Sequence, residues 1–178
     1  MPHPADRTFE SEGRMWKRKK NQEFTATTVI IHQGLALLHV HTKYNKWLPF
    51  GGHVEFGELA HVAALREIKE EAGIDVTLWN PQPQILHTEV AQVVTPMRVL
   101  QYSYPPKIIV DFIYFATAHS TELPNVVNEK KNPITKHWFT VDELLQDTPF
   151  GSRMPRNVRE LCFEAFRVVG AGFSYPYT

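Results

Sequence analysis

The chain has 178 residues, with 19 Lys and Arg residues balanced by 19 Asp and Glu residues, so its formal net charge is zero. This length fits one domain, and the hydrophobic fraction of 43% and charged fraction of 21% are ordinary for a globular protein. Because the whole molecule carries no net charge, we expect neither nucleic acid nor an anionic membrane as a partner. Any recognition of phosphate must therefore be local.

The cysteine content and the hydrophobic pattern exclude further classes of protein. The single cysteine, Cys162, excludes an intramolecular disulfide and a cysteine zinc cluster. The most apolar run, Ile108 to Ala118, contains Asp111 and is too short to cross a bilayer as a helix. No apolar stretch precedes the basic run at residues 17–20, which does not fit a signal peptide. We expect a cytoplasmic protein.

Residues 1–22 are polar and carry a basic cluster at residues 14–20. We interpret this segment as a basic N-terminal lead-in, and an arm that binds phosphate or nucleic acid is the alternative. We predict a single domain at residues 23–178.

The elements that follow alternate between strands and helices. A hairpin turn is expected at Gln33-Gly34, and a short apolar piece ends at Gly51-Gly52. Predicted strands are Thr25–Ile31, Leu35–Val40, Ile85–Val94, Arg98–Tyr104, Ile108–Ala118 and His137–Thr140. The short apolar piece before the two glycines is Trp47–Phe50. Predicted helices are Leu59–Ala72, Asp142–Leu145 and Asn157–Val169. This order favours an α/β fold with one mixed sheet and helices packed on its faces.

The helix predicted at Leu59–Ala72 has two contrasting sides. At about 100° per residue, its apolar side should seat it on the sheet; that side holds Ala64, Leu65, Ile68 and Ala72. Glu67, Glu70 and Glu71 are spaced i, i+3 and i+4 and form a roughly opposite stripe. Three glutamates on an exposed helix face often serve only solubility, but a hard divalent cation bound among them would remove their mutual repulsion. Gly73 is suited to end the helix in a left-handed conformation.

The spacing around this helix supports the metal interpretation. Gly52 is followed after five residues by Glu58, and seven more residues lead to Arg66-Glu67, apolar Ile68, Glu70-Glu71, Gly73 and apolar Ile74. This segment resembles the Nudix hydrolase signature, Gly-x5-Glu-x7-Arg-Glu-U-x-Glu-Glu-x-Gly-U with U apolar, at every fixed position. The resemblance implies a Nudix-type α/β/α sandwich.

The resemblance also implies an activity and a set of site residues. The expected reaction is Mg²⁺-dependent hydrolysis of a diphosphate linkage in a nucleoside triphosphate or another nucleoside diphosphate derivative, with water attacking phosphorus and Mn²⁺ able to substitute. The metal ligands would be the carbonyl of Gly51 and the carboxylates of Glu67, Glu70 and Glu71. Arg66 would hold a neighbouring acid in position. The role of Glu58, structural or metal-linked, stays open, and homodimers are common in the family.

The general base and the substrate contacts are less defined. Glu129 is the acid of the loop from Asn125 to Lys136 that precedes the last strand, where the family can place its base, but Pro133 stands where many relatives carry an acid. His53 lies between the glycines and Glu55 and is a candidate phosphate contact. Trp47 and Phe50 are candidates for stacking on a base or ribose, with core packing as the alternative.

Two further polar positions lie on predicted strands. Asp111 interrupts a hydrophobic strand, so it needs a buried partner or reads a base edge. His39 and His41 share a strand face, but without an evident third ligand we favour structural roles over zinc.

Other functions remain open at the level of sequence. Cleavage of ADP-ribose, a dinucleoside polyphosphate or an RNA cap would use the same signature. A Nudix-like domain that binds nucleotide for regulation without cleaving it is an alternative of another class, although the complete set of acids argues against it.

Overall fold

The computed structural model describes residues 22–82, 92–128, 132–146 and 153–170. The strands in these ranges are β1 (Gln22–His32), β2 (Leu35–His41), β3 (Lys46–Leu48), β4 (Phe50–His53), β5 (Val76–Leu78), β6 (Arg98–Tyr104), β7 (Lys107–Ala118) and β8 (Lys136–Phe139). The helices in these ranges are α1 (Ala60–Glu71), α2 (Val141–Leu145) and α3 (Arg156–Val169).

The described strands form one mixed sheet whose central path is β3-β2-β1-β7-β5. Strands β1 and β7 are parallel along most of their length, and the other pairings are antiparallel. β4 pairs with the first half of β1, whereas β2 pairs with its second half. This division leaves β4 beside the middle of the sheet, directly under α1.

The two faces of the sheet are covered by different helices because side chains alternate along each strand. Val29 and Ile31 of β1 point to one face and pack with α2 and α3. Ala26 and Ile30 point to the other face and pack with α1. The result is an α/β/α sandwich, which confirms the fold class expected from the sequence.

Helix α1 is seated on the sheet by small and apolar residues and ends at a glycine. Its buried residues are Ala63, Ala64 and Ile68, and Ala72 follows at its C-terminal cap. Gly73 has φ +75°, which confirms the left-handed ending, and its amide bonds the carbonyl of Ile68 at 3.1 Å. The prediction for Leu65 was wrong: this residue is 39% exposed, and Ala63 is buried against the sheet instead.

The other sequence expectations concern short segments, and some of them are confirmed while others are not. Gln33 and Gly34 both have positive φ, as a tight hairpin turn requires. Strand β5 was not predicted. Of the strand predicted at Ile85–Val94, residues 85–91 lie outside the described residues, and residues 92–94 are irregular rather than extended in a strand. The basic cluster at residues 14–20 also lies outside the described ranges. No helix in the described ranges is long and apolar enough to span a membrane.

Candidate active site

The glycines of β4 allow α1 to approach the sheet closely. A Cβ atom at Gly52 would lie 2.3 Å from Oε1 of Glu67, so only hydrogen leaves room for that carboxylate. A Cβ atom at Gly51 would lie 2.3 Å from the carbonyl oxygen of Ala26 on β1. The amide of Gly51 donates to Oε2 of Glu71 at 3.3 Å. The carboxylates of Glu67 and Glu71 are therefore placed against the backbone of β4, whereas the side chain of Glu70 is 58% exposed.

Arg66 connects the acids of the site. Its Nε and Nη2 donate to the two carboxylate oxygens of Glu58, each at 3.0 Å. Its Nη1 donates to Glu67 at 2.8 Å and to Glu70 at 3.3 Å, and Nη2 also reaches the carbonyl of His53 at 3.0 Å. These hydrogen bonds lower the pKa of Glu58 and raise that of Arg66. From the middle of α1, Arg66 therefore connects Glu58, which precedes the helix, with the backbone of His53 at the end of β4.

Glu71 is partly buried, with 24% of its side chain exposed. Burial raises its pKa to about 7, and the negative charges of Glu67 and Glu70 act in the same direction, while the hydrogen bond from Gly51 opposes them. Three carboxylates within Coulombic range of one another repel, and Arg66 offsets this repulsion at Glu67 and Glu70 but not at Glu71. The structure brings together the acids that the sequence singled out.

The donor set suits a hard divalent cation. Oxygen ligands from carboxylates and a backbone carbonyl are those that Mg²⁺ and Mn²⁺ prefer. In the part of the chain that the structure describes, no three His, Cys, Asp or Glu side chains already converge as a ligand set. Nη1 of Arg66 is hydrogen-bonded to both Glu67 and Glu70. The carboxylate and carbonyl oxygens fit a hard divalent cation by the chemistry of the donor set.

A second set of polar side chains lies on the sheet face opposite α1. Asp111 of β7 is 6% exposed and accepts hydrogen bonds from the hydroxyls of Thr25 at 2.8 Å and Thr27 at 3.0 Å. Burial raises the pKa of Asp111, and the two threonine hydroxyls oppose the rise. Tyr102 of β6 lies within Coulombic range of this carboxylate and bonds Asn157 of α3. The hydrogen-bonding partners expected for a buried carboxylate at Asp111 are therefore Thr25 and Thr27.

The register of the strands explains why this set was missed in the sequence. Thr25 pairs with Asp111 and also with His53, so the three side chains share one face. Polar residues at alternate positions of β1 were visible, but only the parallel pairing with β7 shows that they meet Asp111. His53 itself is exposed, and its Nε2 lies 3.1 Å from Glu23, which also pairs with Lys107.

The other sequence candidates have different surroundings. Trp47 is 4% exposed and packs edge-on against Phe139, and Phe50 is fully buried beneath His39. Both rings fit the packing alternative, because neither presents a free face at the surface. Glu129 lies outside the described residues.

His39 and His41 do share a face of β2, as the sequence predicted. Their rings are 6.1 Å apart, but they differ in exposure, and only His39 lies next to the helix acids. Burial lowers the pKa of His39 to about 4, and the charge of His41 adds to this effect, so the ring is neutral at physiological pH.

An α/β/α sandwich with a glycine strand facing an acid-bearing helix defines the class of the protein as a Nudix fold. The NUDIX domain family model matches residues 23–161. The chain therefore belongs to the Nudix family, and it is a Nudix hydrolase.

Solved structures agree with this assignment. A NUDIX-family hydrolase from Clostridium perfringens is 29% identical with a TM-score of 0.69, over 84% of this chain and 99% of that one. A MutT NUDIX hydrolase from Burkholderia pseudomallei is 23% identical with a TM-score of 0.55, over 82% and 98%. The Ap4A hydrolase of C. elegans is 20% identical with a TM-score of 0.52, over 84% and 96%. The last two show likeness of fold alone. No curated protein sequence matches the chain.

Proposed function

We propose that this protein hydrolyses a diphosphate linkage in a nucleoside triphosphate or another nucleoside diphosphate derivative, using Mg²⁺, with Mn²⁺ as a substitute. The observation that carries the proposal is the arrangement of four acids beside the glycine strand: Arg66 bonds Glu58, Glu67 and Glu70, and Gly51 bonds Glu71. A freely solvated helix face would not place a glutamate against a backbone amide. The complete acid set also favours an enzyme over a domain that only binds nucleotide.

The roles of the residues follow from their positions. Glu67, Glu70 and Glu71 would hold the cation together with the carbonyl of Gly51. When bound, the divalent cation supplies charge that stabilises phosphate oxygens and lowers the pKa of a bound water. Arg66 keeps Glu67 and Glu70 within reach of the site and fixes Glu58 by a two-point hydrogen bond. Glu129 stays a candidate general base.

The nucleoside would lie on the opposite side of β4, over the face that carries Asp111. A buried carboxylate with two hydroxyls offers acceptors for the exocyclic amine or ring N–H of a base. His53 is the last residue of β4 and shares this face with Thr25, and we propose that it contacts a phosphate oxygen of the substrate.

The first test is hydrolysis of nucleoside triphosphates, nucleotide sugars, ADP-ribose, dinucleoside polyphosphates and capped RNA with Mg²⁺, with identification of the products. Pyrophosphate plus a nucleoside monophosphate would support the triphosphate substrate. AMP plus ribose phosphate would move the assignment to ADP-ribose. Tight nucleotide binding without turnover on any compound would contradict the enzymatic proposal.

Substitution of the acids tests the site itself. Glu70→Gln and Glu71→Gln should each lower kcat by roughly 100-fold or more, a loss of about 3 kcal/mol of transition-state stabilisation. Glu160→Gln is the matched control, because Glu160 is an exposed helix acid on α3 that pairs only with Arg156 in the described contacts. Near wild-type turnover in both site variants would overturn the assignment.

A further inference from the structure

Lys136 is a partly buried cation that the proposed reaction does not use. Its Nζ donates to the carbonyl of Ala72 at 2.9 Å and to the carbonyl of Pro124 at 2.7 Å. Ala72 is the C-terminal cap of α1, and Pro124 belongs to the segment that follows β7. The two parts also pack together, because a Cβ atom at Gly73 would lie 2.7 Å from Cγ of Pro124. The ammonium therefore bridges the end of α1 and a neighbouring segment through two charge-assisted hydrogen bonds.

The register of β8 directs Lys136 towards α1. Trp138, two residues further along β8, packs with the core cluster beneath α1, and side chains at i and i+2 share a face of the sheet. The pairing of Lys136 with His39 of β2 agrees with this orientation. Nε1 of Trp138 donates to the carbonyl of Thr121 at 3.0 Å, in the segment that Lys136 also contacts. The end of α1 is therefore tied to a segment that β8 holds at a second point.

The turn that Lys136 anchors carries two of the proposed cation ligands. Glu70 and Glu71 are the last two residues of α1. The last turn of a helix tends to fray because its carbonyls have no partner within the helix. Arg66 bonds Glu70 but not Glu71 in the described contacts, and the amide of Gly51 bonds Glu71 at 3.3 Å. The position of Glu71 therefore depends on how firmly the end of the helix is held.

We infer that Lys136 is a positioning residue, which fixes the last turn of α1 and thereby keeps Glu70 and Glu71 in place for the divalent cation. The inference rests on the proposed function, since it takes these two acids as cation ligands. Lys136 acts through the carbonyl of Ala72, which follows Glu71 directly in the chain.

The sign of the effect on cation binding separates this role from the effect of charge alone. An ammonium near the acid cluster repels a divalent cation, so the loss of its charge alone should tighten Mn²⁺ binding. If Lys136 positions the acids, its removal should instead weaken Mn²⁺ binding. A role confined to stability should change Tm and leave the Kd for Mn²⁺ unchanged.

The test is Lys136→Met, which keeps an unbranched side chain and removes the ammonium. The measurements are Tm, the Kd for Mn²⁺ by electron paramagnetic resonance, and the kinetics on the substrate that the hydrolysis screen identifies, over a range of Mg²⁺ concentrations well below the Tm of each variant. We expect a lower Tm and about 10-fold weaker Mn²⁺ binding, at the lower end of the effect of removing a group that orients metal ligands. The Mg²⁺ concentration that gives the half-maximal rate should rise by a similar factor, with KM for the substrate within about two-fold.

Lys69→Met is the matched control. Lys69 also lies in the last turn of α1, but its ammonium pairs with the exposed side chain of Asp75. This variant loses the same charge and keeps the bridge to Pro124. Its Kd for Mn²⁺ should therefore be unchanged or lower.

The outcomes separate this inference from the proposed function. Wild-type protein that binds no Mn²⁺ and cleaves no substrate would overturn both. Wild-type binding and turnover, combined with an unchanged or tighter Mn²⁺ Kd in Lys136→Met, would overturn the positioning role alone, whatever the change in Tm. Equal weakening in Lys136→Met and Lys69→Met would also overturn it, because the bridge would then make no difference. If Lys136→Met does not fold, Lys136→Gln is read by the same criteria.

Discussion

The two-point contact between Arg66 and Glu58 depends on the shape of the guanidinium. Nε and Nη2 each meet one oxygen of Glu58, and Nη1 is left for Glu67 and Glu70. A lysine ammonium supplies the same charge but cannot reproduce this fork. The geometry therefore predicts that charge alone will not preserve the site.

Arg66→Lys should lower kcat by about 10- to 100-fold, because Glu67 and Glu70 lose their fixed orientation. Arg98→Lys is the matched control: Arg98 makes a similar two-point pair with Glu164 on the surface between β6 and α3. Steady-state kinetics of both variants checks the prediction. Equal, small effects of the two substitutions would contradict a positioning role for Arg66.

Asp111 is expected to lower the stability of the fold at neutral pH, and it is a candidate contact for the substrate base. Because its folded-state pKa is raised, the native state binds more protons than the unfolded state, and this contribution to stability is lost as pH rises from about 3.8 through the raised pKa. Asp111→Asn should therefore raise Tm at neutral pH and remove this part of the pH dependence. If Asp111 also receives a base, KM should rise about 10-fold or more. Thermal melts from pH 4 to 8 and kinetics provide the measurements, and a lower Tm at neutral pH would count against the stability argument.

At the scale of elements, β4 contains two adjacent glycines with different neighbours. The missing Cβ at Gly52 faces the flexible end of Glu67, whereas the missing Cβ at Gly51 faces the backbone of Ala26 and Thr27 at 2.3 and 2.8 Å. A side chain can move aside, but a paired strand cannot do so without breaking its hydrogen bonds. Substitution of Gly51 should therefore affect the stability of the fold, whereas substitution of Gly52 should affect the position of Glu67.

Gly51→Ala should destabilise the fold by about 2 kcal/mol or more, because it separates β4 from β1. Gly52→Ala should fold with a nearly unchanged Tm but bind Mn²⁺ about 10-fold more weakly, because Glu67 is displaced. Thermal melts and Mn²⁺ titrations of the two variants test the contrast. The same loss of stability in both would show that Glu67 does not yield to the added methyl group.

What the sequence could predict at this scale depended on local signals. The i, i+3, i+4 spacing and Gly73 defined α1 and its acids, because helix periodicity and termination are encoded in neighbouring residues. Leu65 was assigned to the wrong side because a small residue, Ala63, seats the helix where the sheet comes close. β5 is only three residues long and forms through pairing with β7. The polar set around Asp111 required the register of β1 and β7, which is non-local.

At the scale of the whole molecule, the proposed cation site predicts that the stability of the fold depends on Mg²⁺. Burial raises the pKa of Glu71 from 4.5 to about 7. In protein without the cation, Glu71 therefore contributes to the stability of the fold below pH 4.5, and this contribution is lost as pH rises to about 7. The loss is about 3 kcal/mol at 1.36 kcal/mol per unit. Glu71→Gln should therefore melt at a higher temperature than the wild type at pH 7.5 in EDTA.

Adding Mg²⁺ should reverse this order. A ligand at 100 times its Kd stabilises the native state by about 2.7 kcal/mol, which corresponds to roughly 5–10 °C in Tm for a domain of this size. Wild-type protein should show this shift and Glu71→Gln should show much less, so the two melting curves approach or cross as Mg²⁺ is added. NaCl at matched ionic strength is the control, because screening alone also relieves repulsion between exposed acids. If NaCl stabilised the wild type as strongly as Mg²⁺ does, the acids would be responding to salt and not to a bound cation.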